Sequence, residues 1–371
     1  MTTSESGAHP PVDPAEAAGS AQPADPTWAA LFTSLLQHTD LTTAQAAWAM
    51  RQIMSGEATP AQVAGFAIAL RAKGETADEV TGLAATMVEF AAPVPAVGAA
   101  LDIVGTGGDR SHSVNISTMA AIVAAAAGVP VAKHGNRAAS SSCGSADVLE
   151  ELGVAIDLTG AGVASCVAEA GIGFCFAPVF HPAFRHTAVP RRELGVPTVF
   201  NFLGPLTNPA RPMANAVGVA DSRMAAVMAG VLANRGNRAL IFRGDDGLDE
   251  LTTTTTSQVW VVNEGVVTTA TLDPVALGLT PVHPADLRGS DARHNAAVVR
   301  RLLAGEKGAV RDTVVLNAAA GLVAYAGPDA AQLVDQLKEA MVSCEAALDD
   351  GGAARTLDGW IAASQAARTT T

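Results

Sequence analysis

Residues 101–147 read LDIVGTGGDRSHSVNISTMAAIVAAAAGVPVAKHGNRAASSSCGSAD, and this stretch decides the fold class. A short apolar strand, Leu101–Val104, runs into the glycine turn Gly105-Thr106-Gly107-Gly108-Asp109. Asn115, Ser117 and Thr118 then open an alanine-rich helix. A second strand, Val129–Ala132, ends in Lys133-His134-Gly135-Asn136-Arg137 and the serines Ser140–Ser142 and Ser145. Twice the chain leaves a strand and meets glycines and hydroxyls near a helix start; the second time a cation joins them. Free backbone N–H groups beside a helix N-terminus suit an anion, so the stretch predicts a phosphorylated ligand.

Further strand-length apolar segments follow at Phe174–Ala177, Ala214–Val219, Ala239–Arg243 and Val259–Asn263, alternating with helices. Such alternation predicts an α/β fold with a mostly parallel central sheet. Ligands of these sheets sit beyond the C-terminal strand ends, so the two glycine loops and Gly244–Glu250 should converge on one edge. Upstream, residues 28–92 read as a small helical unit. Thr59-Pro60 is an N-cap followed by proline, and Thr76 to Glu79 is a capping box. Segment 190–212 carries five prolines and two glycines, reads as a stiff crossover, and is expected to return the chain to that unit. From about 293 the chain reads as helical, most clearly over 312–326 and 330–348. The division expected is a disordered tail over 1–26, a small α-helical domain over 27–97, and a large α/β domain over 98–368.

A formal net charge of −13 argues against general nucleic-acid binding and requires any anion site to be locally positive. Lys133 is one of only four lysines, which makes its place in a glycine-rich loop informative. No apolar run predicts a membrane span, and the polar start lacks the features of a signal peptide; a cytoplasmic chain is expected. Cys143, Cys166, Cys175 and Cys344 have no zinc-type spacing and read as reduced packing residues. Asp249-Glu250 is either a solvated acidic turn or a place for Mg²⁺. His134 is either a general base or a histidine that only hydrogen-bonds backbone.

Six ordered motifs carry a resemblance. They are Gly105–Asp109, Asn115–Thr118, Lys133–Arg137, Gly144–Asp147, Asn201–Pro209 (NFLGPLTNP) and Asp246–Glu250. Over about 28–368 the chain closely resembles the anthranilate phosphoribosyltransferases of tryptophan biosynthesis. The resemblance implies transfer of phosphoribose from phosphoribosyl pyrophosphate (PRPP) to anthranilate with release of pyrophosphate. It also implies a homodimer joined through the helical domains. It assigns Gly105, Gly107, Gly108, Asp109, Ser113, Asn115, Ser117, Thr118, Lys133 and Ser145 to PRPP. Ser117, Asp249 and Glu250 become Mg²⁺ ligands. Gly105, Asn136, Arg191, His134 and Gly204 become the anthranilate contacts. Two departures stand out: Arg110 replaces a glycine and Ser113 replaces a threonine, while Pro190 precedes Arg191 where an ordinary apolar residue is common. Rival readings are a pyrimidine-nucleoside phosphorylase of the same fold class and a non-catalytic nucleic-acid-binding relative. The acidic pair and the retained Asn136 and Arg191 weigh against them.

Overall fold

The computed structural model describes residues 26–138 and 142–369; the expected tail up to residue 25, with Ser140 and Ser141, lies outside the described residues. Four helices come first: α1 (Trp28–Leu36), α2 (Thr43–Met54), α3 (Pro60–Lys73) and α4 (Ala77–Glu89). Their starts are chemically specified. Thr42, Thr59 and Thr76 each cap a helix and exchange hydrogen bonds with Gln45, Gln62 and Glu79 three residues on. Glu79 is also buried, accepts from the Leu41 amide at 2.8 Å and pairs with Lys73 at 3.0 Å, so one carboxylate joins three segments of the unit.

The alternating part follows as β1 (Leu101–Gly105), α5 (Ile116–Ala126), β2 (Val131–Gly135), α6 (Ser145–Leu152), α7 (Gly160–Ala170) and β3 (Ile172–Phe176). Then come α8 (Ala177–Phe180), α9 (Ala188–Leu194), β4 (Ala214–Gly218), α10 (Ser222–Asn234), β5 (Arg238–Gly244), β6 (Ser257–Asn263) and β7 (Val266–Leu272). Helices α11 (Ala292–Leu303), α12 (Ala309–Ala326), α13 (Leu333–Asp349) and α14 (Gly352–Thr369) complete the chain. The sheet order is β3-β2-β1-β4-β5-β6-β7. The first five strands are parallel; β6 and β7 are antiparallel. The expected α/β class with a mostly parallel sheet is therefore what the chain adopts.

Alternate residues of the strands sort into two apolar layers. Leu101, Ile103, Ala216, Leu240 and Phe242 pack with α5, α12 and the C-terminal helices. Val104, Val217, Val219 and Ile241 face α10 and the helical unit. Val199, Phe200, Phe202, Leu203 and Leu206 of the proline-rich crossover join that second layer beside Leu31, Phe66 and Leu70. All four cysteines are buried and none is in a disulfide among the described residues.

Two expectations are corrected. The second strand begins after Pro130 rather than at Val129, which carries Lys133 and His134 out of the expected loop and into β2. Pro130 has no N–H for a ladder, whereas its carbonyl accepts from the Leu101 amide at 2.9 Å. The terminal strand β7 was not expected. Its outward Val-Thr run is held mainly by pairing with β6, from Asn263↔Val266 to Ser257↔Leu272.

Candidate functional site

The order of strands reverses at β1. From β1 the chain winds to β2 and β3 on one side, then crosses back to β4 on the other. Such a switch point opens a crevice beyond the strand ends. Here Gly105 and Gly218 are paired at the ends of β1 and β4. A Cβ on Gly218 would lie 1.6 Å from the Asp249 carbonyl oxygen, and one on Gly105 would lie 2.4 Å from Asp249 Oδ2. Both glycines thus let the loop after β5 lie directly on the crevice. Gly218→Ala is expected to push Asp249 and Glu250 out of register and reduce turnover at least about a hundredfold, while far-UV circular dichroism stays native. Near-normal turnover would contradict this account of the close approach.

The glycine turn is shaped by its backbone. Gly107 and Gly108 have φ of +70° and +87°, the left-handed region that glycine enters without steric cost. The Gly107 amide donates to Asp249 Oδ2 at 2.6 Å, and Thr106 donates through its amide to Gly218 at 2.9 Å. Arg110, the departure noted in the sequence, has φ of +60°. An arginine therefore stands in a backbone conformation suited to glycine. Arg110 and Ser113 line a cleft of about 290 Å³ between the glycine turn and the Asp246–Leu248 turn.

Asn115 caps α5 in position but not with its side chain. Its Nδ2 donates to the Cys143 carbonyl at 3.1 Å, and its Oδ1 accepts from Asn295 at 2.8 Å. It therefore fastens α5 to the second loop and to α11. Ser117 and Thr118 occupy the first turn of α5, and the Thr118 hydroxyl is buried without a protein partner. In the second loop, the Ser145 hydroxyl donates to the Asn136 carbonyl at 3.3 Å, and Asn136 Oδ1 accepts from the Arg137 amide at 2.7 Å. Asp147 accepts from the Gly144 and Ala138 amides at 2.9 and 3.0 Å.

Lys133 is 1% exposed. Its ammonium donates to the Ile103 carbonyl and, at 3.3 Å, to Ser117 Oγ. Burial lowers its pKa, and the charges of Asp102 and Glu250 oppose that shift. It is an internal cation beneath the crevice rather than a solvated loop lysine.

Asp249 and Glu250 are also buried, at 8% and 7% exposure. Burial pushes Asp249 well above the ordinary carboxylate range, and the charges of Glu250 and Asp109 add to the rise. Burial raises Glu250 to about 8 against the pull of Lys133, with Asp109 adding to the rise. Glu250 Oε2 and Asp109 Oδ2 are buried without partners. Three crowded carboxyls beside one lysine leave unmet demand for positive charge. Hard oxygen donors of this kind fit Mg²⁺, which keeps several waters and takes others of its ligands from a substrate's phosphates. Among the described residues no group of three or more His, Cys, Asp or Glu is arranged to hold a metal alone. Asp249 and Glu250, with Ser117 beside them, would hold the ion from one side only.

The opposite wall comes from the crossover. His134 Nδ1 lies 2.9 Å from the Gly204 carbonyl, which makes Nδ1 the protonated nitrogen, and the ring meets His181 at 5.2 Å. Burial, reinforced by His181, depresses His134 to about 3; burial depresses His181 to about 4. Both rings are neutral at pH 7, and a ring with so low a pKa is a weak general base. Arg191, on α9, lies over the Phe184 ring at 5.2 Å, and burial lowers its pKa. Among the described residues its guanidinium has no hydrogen-bond or ion-pair partner, and no hydrogen bond joins it to Asn136 or His134. It is an unpaired, half-buried guanidinium ready for a carboxylate.

The support beneath this wall joins residues remote in sequence. Asp102 is fully buried, is raised to about 6 by burial, and accepts from the His134 amide at 3.1 Å and Asn208 Nδ2 at 2.8 Å. Asn208 also donates to the Ala132 carbonyl at 2.7 Å, so it ties the crossover to β1 and β2. The support's signal in the sequence is an acidic residue inside an apolar strand with an asparagine near the end of NFLGPLTNP. Asn208→Ala is expected to cost about 2–3 kcal/mol by leaving buried acceptors unmet, visible as a lower urea midpoint. An unchanged midpoint would remove Asn208 from the support.

Comparison with known proteins follows the same division of the chain. Residues 29–91 match the helical bundle domain of a glycosyl transferase family, and residues 97–354 match the a/b domain of that family. The anthranilate phosphoribosyltransferase of Acidothermus cellulolyticus is 69% identical over 92% of this chain and 97% of its own. A crystal structure of anthranilate phosphoribosyltransferase from Thermus thermophilus is 43% identical, covers 90% of this chain and 99% of its own, and superimposes with a TM-score of 0.83. The Saccharomyces cerevisiae enzyme in complex with PRPP and Mg is 26% identical, covers 91% of this chain and 98% of its own, and has a TM-score of 0.81.

Proposed function

The chain belongs to the anthranilate phosphoribosyltransferase family, and we propose that it transfers the 5-phosphoribosyl group of PRPP to the amine of anthranilate. The products are N-(5′-phosphoribosyl)anthranilate and pyrophosphate. One observation carries this reading: a buried carboxylate cluster with its lysine lies at a switch-point crevice, and the crossover that meets His134 through Gly204 also carries an unpaired, half-buried arginine on α9. The cluster suits a metal-bound polyphosphate and the arginine suits an aromatic carboxylate.

In this reading PRPP lies along the turn of Gly105, Gly107 and Gly108, with Asp109, Ser113, Asn115, Ser117, Thr118 and Ser145 around its oxygens. Bound at Ser117, Asp249 and Glu250, Mg²⁺ supplies positive charge against the leaving pyrophosphate. Lys133 adds a fixed charge from below and holds Ser117 and the end of β1 in place. As the C1′–O bond breaks, the ribose gains oxocarbenium character. Anthranilate is held by Arg191 through its carboxylate, with Asn136, Gly105, Gly204 and His134 lining its approach. Its amine is already neutral at pH 7, so positioning rather than deprotonation carries the rate. The depressed pKa of His134 agrees with that division of labour.

The division into a helical domain over 27–97 and an α/β domain over 98–368 places the crossover wall between them. Leu36 is 74% exposed, and Ile68, Val189 and Val196 are exposed on α3 and the α9 segment. The exposed apolar side chains of Leu36 and Ile68 support a homodimer through the helical domain. No described helix is long and apolar enough to cross a membrane. We place the enzyme in the cytoplasm, without nucleic-acid partners. The direct test is loss of anthranilate fluorescence on mixing chain, PRPP and Mg²⁺. Absence of loss, with salt-sensitive DNA binding, would favour the non-catalytic reading.

A further inference from the structure

The geometry points to a second ligand site: a cleft between α11 and the start of α12 that takes a small organic anion with an apolar body. The cleft encloses about 510 Å³ and lies outside the crevice described above. Val298 and Leu302 form its buried apolar floor, with Val310 beside them. Helix α12, eighteen residues long, begins here from Gly308 with no side-chain cap, so its first amides are offered to the cleft.

A second observation stands apart from the helix end. Arg311 lines the cleft at 4% exposure, and its Nη1 is buried without a partner. Its Nη2 is engaged, by Asp349 at 2.8 Å and the Glu345 carbonyl at 3.5 Å. A guanidinium with one arm neutralised and one unmet implies a missing acceptor. The rim adds Arg288 and His294, whose side chains have no partner among the described residues. The two acidic residues of the lining are already occupied. Glu306 pairs with Arg301 at 3.0 Å, and Asp286 accepts from the His283 amide at 2.9 Å. In a chain of net charge −13, this is a locally positive pocket above an apolar floor. Anionic oxygens would lie at the α12 amides and Arg311, with an apolar body over Val298 and Leu302.

The cleft is also wired to the glycine-turn loop. Ser113 and Arg288 form an antiparallel bridge. The Val114 amide donates to the Leu287 carbonyl at 2.9 Å, and the Gly289 amide donates to the His112 carbonyl at 2.8 Å. An occupant that draws in Arg288 therefore pulls on the loop assigned to PRPP.

The test uses 1-naphthoate, followed by isothermal titration calorimetry. Arg288→Glu and His294→Glu change rim residues outside the proposed catalytic machinery. In Arg191→Ala, which removes the aromatic-carboxylate contact proposed for the crevice, naphthoate is expected to bind once per chain in this cleft, and to weaken at least tenfold when either rim substitution is added. No binding in Arg191→Ala, or binding there indifferent to both rim substitutions, would overturn the site. Occupancy is further expected to change the KM for PRPP at least twofold in the parent chain but not in Arg288→Glu; an unchanged KM overturns the coupling. That second arm rests on the proposed activity, whereas the calorimetry does not, so the two can fail separately.

Discussion

Asp249→Asn combined with Glu250→Gln is expected to lower Mg²⁺-dependent turnover by on the order of a thousandfold or more. Anthranilate fluorescence measures it directly, and undiminished turnover would refute the metal assignment. The same carboxylates predict a stability signature without substrate. Folded Glu250 keeps its proton up to about 8, whereas an unfolded glutamate releases it near the ordinary value. Between those two pH values the native state binds more protons than the unfolded state, so stability falls as pH rises. The penalty is absent below the unfolded pKa and complete above the folded one. Without Mg²⁺, Glu250→Gln should therefore melt several degrees above the parent chain at about pH 8.5. The gap should shrink towards about pH 5, and Mg²⁺ should narrow it at high pH by stabilising only the parent. A gap of the same size at both pH values would mean that Glu250 is not a strained buried acid.

Arg191→Ala is expected to raise the KM for anthranilate by about thirty- to a hundredfold, the loss of a charged, two-pronged contact worth roughly 2–3 kcal/mol. The KM for PRPP should change less than about threefold, because Arg191 stands on the crossover wall and not on the glycine-turn side. Arg191→Lys should recover only part of the loss, since an ammonium keeps the charge but neither the fork nor the stacking on Phe184. Equal effects on both substrates would move Arg191 from binding to general support of the wall.

Much of this is legible in the sequence. The strand–glycine–helix rhythm of 101–147 predicted the parallel sheet, because period and punctuation are local properties. The acidic pair after β5 was legible as a metal candidate for the same reason. What was not legible depended on neighbours remote in sequence. Lys133 read as a loop cation because nothing local announces that the Ile103 carbonyl and Ser117 wait to receive it inside the sheet. Asp102 stands out in the sequence only as an acid inside an apolar strand; its meaning comes from Asn208, more than a hundred residues away. Asp109 read as part of the glycine turn, whereas it supplies the third carboxyl that leaves the site short of positive charge. Strand β7 escaped notice because its side chains face water, so burial imposes no apolar pattern on it.

The antiparallel turn from β5 to β6 has a consequence for how the enzyme spends time. Gly244 and Ser257 are paired, so the carboxylate loop leaves and re-enters the sheet at one place. Asp245 donates its amide to Thr256 at 2.9 Å, and Leu251 is clasped from both its amide and its carbonyl by Asn317 of α12. A segment tethered so closely has little conformational freedom left to lose when a ligand arrives. The carboxyl platform is thus already in place between turnovers, and any slow opening and closing in the catalytic cycle falls to other loops. Hydrogen exchange should find the Leu251 amide among the slowest in the chain, with little further protection when PRPP binds.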